Sequence, residues 1–219
     1  MKHLVHKLCE RIGNAEFNVL DVGSQHVEGN LLSYRSIFES LQNARYSGLD
    51  MIAGQNVDVV AKDPYKFPLE SNSFDLVISG QAFEHIEFPW LTIREIERVL
   101  KPGGFAIIIA PSSGPEHRYP NDCWRFYPDG MRALGKWASL DCIEASTNWL
   151  EARLFMWGDT IGVFQKPGGT PNVHGQLLMP DGSSRYGSHP RIAMGYLAFG
   201  NIIVRLYVWL GTFAKRLLD

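Results

Sequence analysis

The apolar positions of this chain follow two periods that alternate along its first two thirds. Phe17, Val19, Leu20 and Val22 form a short β-branched run, the signature of a strand buried on both faces. Phe74 to Ser79 (FDLVIS) and Phe105 to Ala110 (FAIIIA) repeat it, and Arg45 to Leu49 and Val57 to Ala61 are shorter versions. Between these runs the period becomes helical. His3 to Ile12 places Leu4, Val5, Leu8 and Ile12 on one face, and Asn30 to Gln42 does the same with Leu31, Leu32, Ile37, Phe38 and Leu41. Trp90 to Leu100 predicts a third helix, with Ile96, Val99 and Leu100 inward and Thr92 with Glu95 as a capping box. Lys101-Pro102-Gly103-Gly104 predicts a tight turn that ends it.

Beyond Pro111 the pattern changes. Ser112 to Tyr127 reads as a long polar and aromatic loop, and Pro128 to Trp137 as a helix with proline in its first turn. Cys142 to Thr147 and Thr160 to Gln165 are two further strands. Strands alternating with helices imply parallel crossovers, hence an α/β fold with an open sheet and helices on both faces. Three regions follow: a domain over 1–166, an irregular Gly/Pro-rich segment over 167–191, and an apolar C-terminal helix over 192–219. That last stretch falls short of the roughly 20 predominantly apolar residues of a spanning helix, because Arg205 interrupts it. It is expected to pack on the domain or on a dimer partner, in preference to lying at a membrane surface as a peripheral contact.

Composition narrows the class. A hydrophobic fraction of 45% and a charged fraction of 20% are those of a globular protein. A formal net charge of −2, without a basic run, gives no footprint for nucleic acid. Three widely spaced cysteines, Cys9, Cys123 and Cys142, argue against a disulfide framework or a zinc knuckle and for a reducing compartment. The first residues, MKHLVHKLCERIG, carry polar and charged residues throughout, which does not fit a signal peptide, so a cytoplasmic location is expected.

The candidate chemistry lies where strands end. Asp21 and Gly23, then Asp50, Asp63 and Gly80-Gln81 close successive strands, and ligands of open α/β sheets bind outside those carboxyl ends. Taken alone, Asp21 also fits a helix cap and Gly23 a simple turn. A carboxylate ending the second strand suits the two hydroxyls of a ribose, which gives Asp50 that role and sets Met51 against an adenine face. Asp63, one strand further, is placed to accept from an adenine amino group.

The blocks LDVGS, SGLD, KDPYKFPLESNSFDLVISGQAFEHI and RVLKPGGFAIIIAP, in this order, resemble the class I S-adenosylmethionine-dependent methyltransferases over about Phe17 to Pro111. The resemblance implies a Rossmann-like open seven-stranded sheet, mostly parallel, whose later strands form a C-terminal antiparallel hairpin. It implies S-adenosylmethionine as cofactor, with Asp21 and Gly23 along the methionine moiety, Asp50 holding the ribose and Asp63 meeting the adenine; Ser24, Met51, Pro64, Gly80 and Gln81 are expected to bind the cofactor with them. One departure stands out: Ser24, Gln25, His26, Val27 and Glu28 precede Gly29 where the family has a tighter glycine-rich turn. A nicotinamide dehydrogenase is disfavoured, because G-x-G-x-x-G does not follow the first strand.

On the acceptor side, a hydroxyl nucleophile needs a base, and His85, His117 and Asp122 are the candidates. The loop HRYPNDCWRFY offers Tyr119, Trp124, Arg125 and Tyr127 to a polar ring. Phe126 fits a packing role equally well. The run HRYPNDCWRFYPDGMRAL, with DTIGVFQKP later, is similar to methyltransferases encoded beside bacterial surface-polysaccharide and secondary-metabolite enzymes, which points to a sugar or another small-molecule acceptor. Glu84, His85, His117 and Asp122 show no fixed ligand spacing, so no metal is expected. The expected activity is O-methylation. The alternative is a catalytically silent, cofactor-binding partner in a biosynthetic complex.

Overall fold

The computed structural model describes residues 16–26, 33–147 and 157–168. The helix expected over His3 to Ile12, the start of the one expected from Asn30, Val27 to Gly29 and the C-terminal helix lie outside the described residues, as does all of the irregular segment but its first two positions. Seven strands form one sheet: β1 Phe17–Val22, β2 Ala44–Asp50, β3 Val59–Val60, β4 Phe74–Gly80, β5 Leu100–Ser113, β6 Asp141–Thr147 and β7 Gly158–Gln165. Their order is β3-β2-β1-β4-β5-β7-β6. The first five pair in parallel, and β7 runs antiparallel between β5 and β6. The Rossmann-like open sheet with its antiparallel C-terminal pair is therefore present as expected.

Both faces of the central strands are apolar, and alternation separates them. Phe17 and Val19 join Leu76, Ile78 and Ile107 in one cluster, covered by Phe38 of α1 (Arg35–Glu39). Leu20 and Val22 join Val77, Ala106 and Ile108 in the other. There α2 (Pro89–Val99) inserts Ile93, Ile96 and Val99, and α3 (Pro128–Trp137) inserts Met131 and Leu134. Each such fully buried aliphatic side chain contributes about 1.5–3 kcal/mol relative to exposure, so the two clusters hold the strand ends firmly in place.

Two local expectations fail. Thr92 and Glu95 do not cap α2, whose N-cap is Phe88. Thr92 is buried and donates to the Pro64 carbonyl at 3.1 Å, while Glu95 accepts from the Phe67 amide at 2.7 Å and pairs with Arg98. Long-range partners in the 61–73 connection outcompete the local cap. Lys101 to Gly104 do not form a turn between elements but a bulge inside β5. The pairing with β4 passes from Phe74↔Leu100 directly to Leu76↔Phe105, and Gly103 sits at φ +82° with its amide bonded to Lys166 O. A 3₁₀ turn, Phe83–His85, follows β4 and carries the EH pair. Among the described residues no helix is long and apolar enough to cross a membrane.

Candidate active site at the carboxyl ends of the strands

The chain runs outward from β1 to β3 and then returns to β4, so the switch in strand order lies between β1 and β4. The two turns that leave these strands touch. Gly23 has φ +80°, and a Cβ built on it would stand 2.4 Å from Ala82 Cβ. Gln81 also takes a positive φ, 58°, with its amide bonded to Ile109 O at 2.8 Å. Non-glycine residues in this region are uncommon and gather at ligand sites. A Cβ at Gly80 would lie 2.3 Å from the hydroxyl of Tyr34, which covers this corner.

Asp21 is the last charged group of β1 and is buried. Its Oδ2 accepts from the Tyr46 hydroxyl at 2.5 Å, and Asn56 Nδ2 donates to the same hydroxyl at 3.1 Å. Arg35 closes the network, donating to Asn56 and Asp58 and lying 4.5 Å over the Tyr46 ring. Asp21 Oδ1, by contrast, has no hydrogen-bond partner among the described residues. Burial raises the carboxyl to about 7, against the lowering effect of the Tyr46 bond and with a further push from Asp50. An orphaned, buried acidic oxygen beside the switch point suits a positively charged ligand. The amino group and sulfonium of S-adenosylmethionine meet that requirement.

Asp50 ends β2 with its carboxylate held by two amides, Gln25 N to Oδ2 at 3.0 Å and Met51 N to Oδ1 at 2.7 Å. Remaining lone pairs on both oxygens stay available for a diol. Met51 and Ile52 follow with half or more of their surface exposed, an apolar shelf beside a fixed carboxylate. Ser24 behaves differently from its expected ligand role: it is buried, and its hydroxyl donates to Asn56 O at 3.0 Å. The turn after β1 is thus stitched to the 50–56 connection, with His26 N reaching Gln55 O at 3.1 Å. These bonds supply the rigidity that the missing glycines would otherwise have allowed through close packing. Asp63 is exposed and caps its own turn through the Tyr65 amide at 2.8 Å, and Pro64 O receives Thr92.

The acceptor-side candidates converge around the 3₁₀ turn after β4. The loop after β5 folds over it, and the Glu84 carbonyl accepts from both Cys123 N at 2.7 Å and Trp124 N at 3.2 Å. His85 and His117 meet edge to face with ring centroids 4.9 Å apart, and Trp157 stands 5.1 Å from His117. His85 Nδ1 lies 2.6 Å from the Asn121 carbonyl, which can only accept, so Nδ1 carries the proton and Nε2 the lone pair. Burial lowers the His85 pKa, keeping the ring neutral.

Asp122 and Arg125 are committed to each other. Arg125 grips both carboxylate oxygens at 2.5 and 2.8 Å and also donates to Pro115 O and Trp124 O. That grip holds Asp122 well below the usual carboxylate range, which makes it a poor base. Trp124 donates to Glu87 O at 3.1 Å and meets Trp90 edge to face, whereas Tyr119 and Tyr127 leave much of their rings exposed. Phe126 is buried in the core beside Phe83.

Tyr34, Tyr46, Arg35 and Asn56 carry no sequence signal for this site, since each lies in a stretch that reads as ordinary helix, strand or loop. Glu84 had a signal, an acid flanked by the apolar Phe83 and Ile86 just beyond a buried strand.

Residues 23–108 match the family described as a methyltransferase domain. Over 72 residues the chain is 33% identical to the demethylmenaquinone methyltransferase of Staphylococcus saprophyticus, an overlap covering 33% of this chain and 30% of that enzyme. The match thus spans less than a third of that curated relative. Among solved structures, the [4+2]-cyclase SpnF is similar at 17% identity and TM-score 0.55, over 77% of this chain and 81% of that one. The phosphoethanolamine N-methyltransferase 2 of Haemonchus contortus, solved with S-adenosyl-L-methionine, is similar at 15% identity and TM-score 0.53, over 75% and 52% of the two chains. Likeness at this level of identity establishes the fold alone.

Proposed function

We propose that this chain, whose fold and whose residues 23–108 are those of the class I S-adenosylmethionine-dependent methyltransferases, transfers a methyl group to an oxygen of a sugar or similar small polar acceptor in the cytoplasm. The observation that carries the reading is Asp50: a carboxylate locked by two amides at the end of β2, beside an exposed apolar shelf and next to the switch point. Asp50 would hold the ribose, Met51 would pack on the adenine, and Asp21 Oδ1 would face the positive end of the cofactor. When bound, the cofactor supplies an electrophilic methyl group.

The protein's own task is then to position the nucleophile in line and to exclude water. Glu84, His85 and His117 form the polar centre on the acceptor side and handle the proton that the hydroxyl loses. Tyr119, Trp124 and Tyr127 would offer ring faces to the acceptor. Support for a sugar comes from this aromatic rim, in keeping with a place in polysaccharide biosynthesis.

Calorimetry tests the cofactor half of the proposal. Asp50→Ala removes a hydrogen-bonding carboxylate worth about 1.5–3 kcal/mol, so S-adenosylhomocysteine should bind roughly 10- to 100-fold more weakly with the circular dichroism spectrum unchanged. Equal affinity in the variant removes the ribose assignment. Mass spectrometry of sugar acceptors incubated with cofactor tests the other half, and a panel that never yields S-adenosylhomocysteine overturns the enzymatic reading.

A further inference from the structure

Glu84 is fully buried, and neither of its carboxylate oxygens has a hydrogen-bond partner among the described residues. Leaving a buried acid unpaired is costly, so something absent from the protein's own atoms is expected to meet it. The nearest groups are two imidazole nitrogens. His85 Nε2 lies 3.6 Å and His117 Nε2 3.8 Å from Glu84 Oε1, too far for hydrogen bonds. His85 Nε2 has no proton to give, because Nδ1 carries it to Asn121 O. His117 Nε2 is the third donor atom of the cluster, and its buried Nδ1 lies 3.6 Å from Asp122 Oδ2 without a hydrogen bond. The Glu84 carboxylate and the His85 Nε2 lone pair therefore face each other with no proton between them, and His117 Nε2 stands beside both.

We propose that Glu84, His85 and His117 form the binding site of one divalent first-row transition ion, of which Zn2+ is the representative. One ligand atom from each residue lies within 4.8 Å of the other two. Ligands about 2.1 Å from a tetrahedral ion stand ~3.4 Å apart, so the two Glu84 separations of 3.6 and 3.8 Å need to contract by only a few tenths of an ångström, while the two histidine atoms lie within 4.8 Å of each other. Two histidines and one carboxylate on one side of an ion form a donor set suited to Zn2+ or Fe2+, with the remaining positions open. His85 already has the outer partner that fixes a metal-binding tautomer, the Asn121 carbonyl, and the Asp122 carboxylate lies 3.6 Å from His117 Nδ1, within a small shift of serving the same way. Burial disfavours the Glu84 carboxylate most, and the Arg125 guanidinium favours it against the weaker effects of Asp159 and Asp122, so a cation seated on its oxygens would relieve the cost of burial.

The expectation of no metal rested on ligand spacing along the chain. The ligands come instead from the connections that follow two adjacent parallel strands, β4 and β5, and the sheet brings them together across 31 intervening positions. This site deepens the acceptor side of the methyl-transfer reading, on which one consequence rests: an acceptor hydroxyl entering an open position would be acidified by the ion and would pass its proton to the Glu84 oxygen that the ion leaves unbound.

The test uses untagged full-length protein freed of metal with a chelator, then titrated with Zn2+ by calorimetry and with Co2+ by visible absorption. The expected result is one ion per chain, a d–d spectrum of a low-symmetry nitrogen and oxygen site, and at least about tenfold weaker binding in Glu84→Gln and in His117→Ala. His117 is partly exposed, so its variant keeps the test informative where replacement of the buried acid disturbs folding. Folded parent protein that shows no saturable binding, or folded variants that bind as tightly as the parent, would overturn the site. Calorimetry with S-adenosylhomocysteine on the same samples separates the two readings: intact cofactor binding without metal binding sinks the metal site alone.

Discussion

The contact between the turns after β1 and β4 gives the sharpest perturbation, Gly23→Ala. At φ +80° an L-residue pays roughly 1–2 kcal/mol for the left-handed backbone. Its Cβ would also stand 2.4 Å from Ala82 Cβ, where carbon atoms ordinarily approach to about 3.5–4.0 Å. Both partners are short and fixed, so one turn must retreat by roughly 1 Å, and overpacking of this kind costs about 1–3 kcal/mol. Gly23→Ala should therefore destabilise the protein by about 2–5 kcal/mol in urea unfolding and weaken S-adenosylhomocysteine binding by misplacing Asp21 and Gln81. The two terms can be separated in a double-mutant cycle. Ala82→Gly in the Gly23→Ala background removes the clash and should restore about 1–3 kcal/mol, leaving the backbone term in place. A Gly23→Ala protein within about 0.5 kcal/mol of the parent, or one that Ala82→Gly does not rescue, would refute the reasoning.

Three further outcomes follow from the electrostatics and the rim. Asp21 titrates at about 7 when folded against 3.8 as a free side chain, so between those values the folded state retains a proton that the unfolded chain has released. Stability of the cofactor-free protein should therefore fall as pH rises from about 4 to about 7, and Asp21→Asn should flatten that slope, gaining at most about 4 kcal/mol above pH 7 in urea titrations. Arg125→Ala strands the Asp122 carboxylate and frees the loop after β5, which should cost about 1–3 kcal/mol and raise proteolytic cleavage between 114 and 127. Tyr119→Ala and Tyr127→Ala alter exposed rings, so stability should stay within about 0.5 kcal/mol while the KM for the acceptor rises. A changed melting midpoint with unchanged KM would show that these rings serve the fold instead.

The layered fold was legible because parallel strands need apolar residues on both faces, and Phe17 to Val22, FDLVIS and FAIIIA have few other solutions. Asp50 ends β2 where the charge after Leu49 suggests a strand end, and its carboxylate accepts the Gln25 and Met51 amides. The capping box failed because Thr92 and Glu95 found partners near Pro64 and Phe67, contacts that no local window contains. The bulge at Lys101 to Gly104 was invisible for a different reason, since its amides and carbonyls bond to Lys166 and Gln165 at the far end of the domain. Ser24 is expected at the cofactor together with Asp21 and Gly23, and its hydroxyl donates to Asn56 O, a partner 32 positions away. Asp122 and Arg125 could be read singly as base and anchor, and only their spatial pairing shows that each is held by the other.

The Glu84 carbonyl that accepts two amides has a kinetic meaning as well as a structural one. Cys123 and Trp124 sit in a long connection with exposed side chains, where amide protons would ordinarily exchange within seconds, yet both are pinned to the turn after β4. They should exchange far more slowly than their neighbours and in step with each other, since one acceptor releases both. The wall bearing the aromatic rim and the wall bearing the histidines then move as a single body. A pocket built this way cannot adapt its walls independently, so it would select an acceptor by the shapes it refuses rather than by closing around the one it prefers.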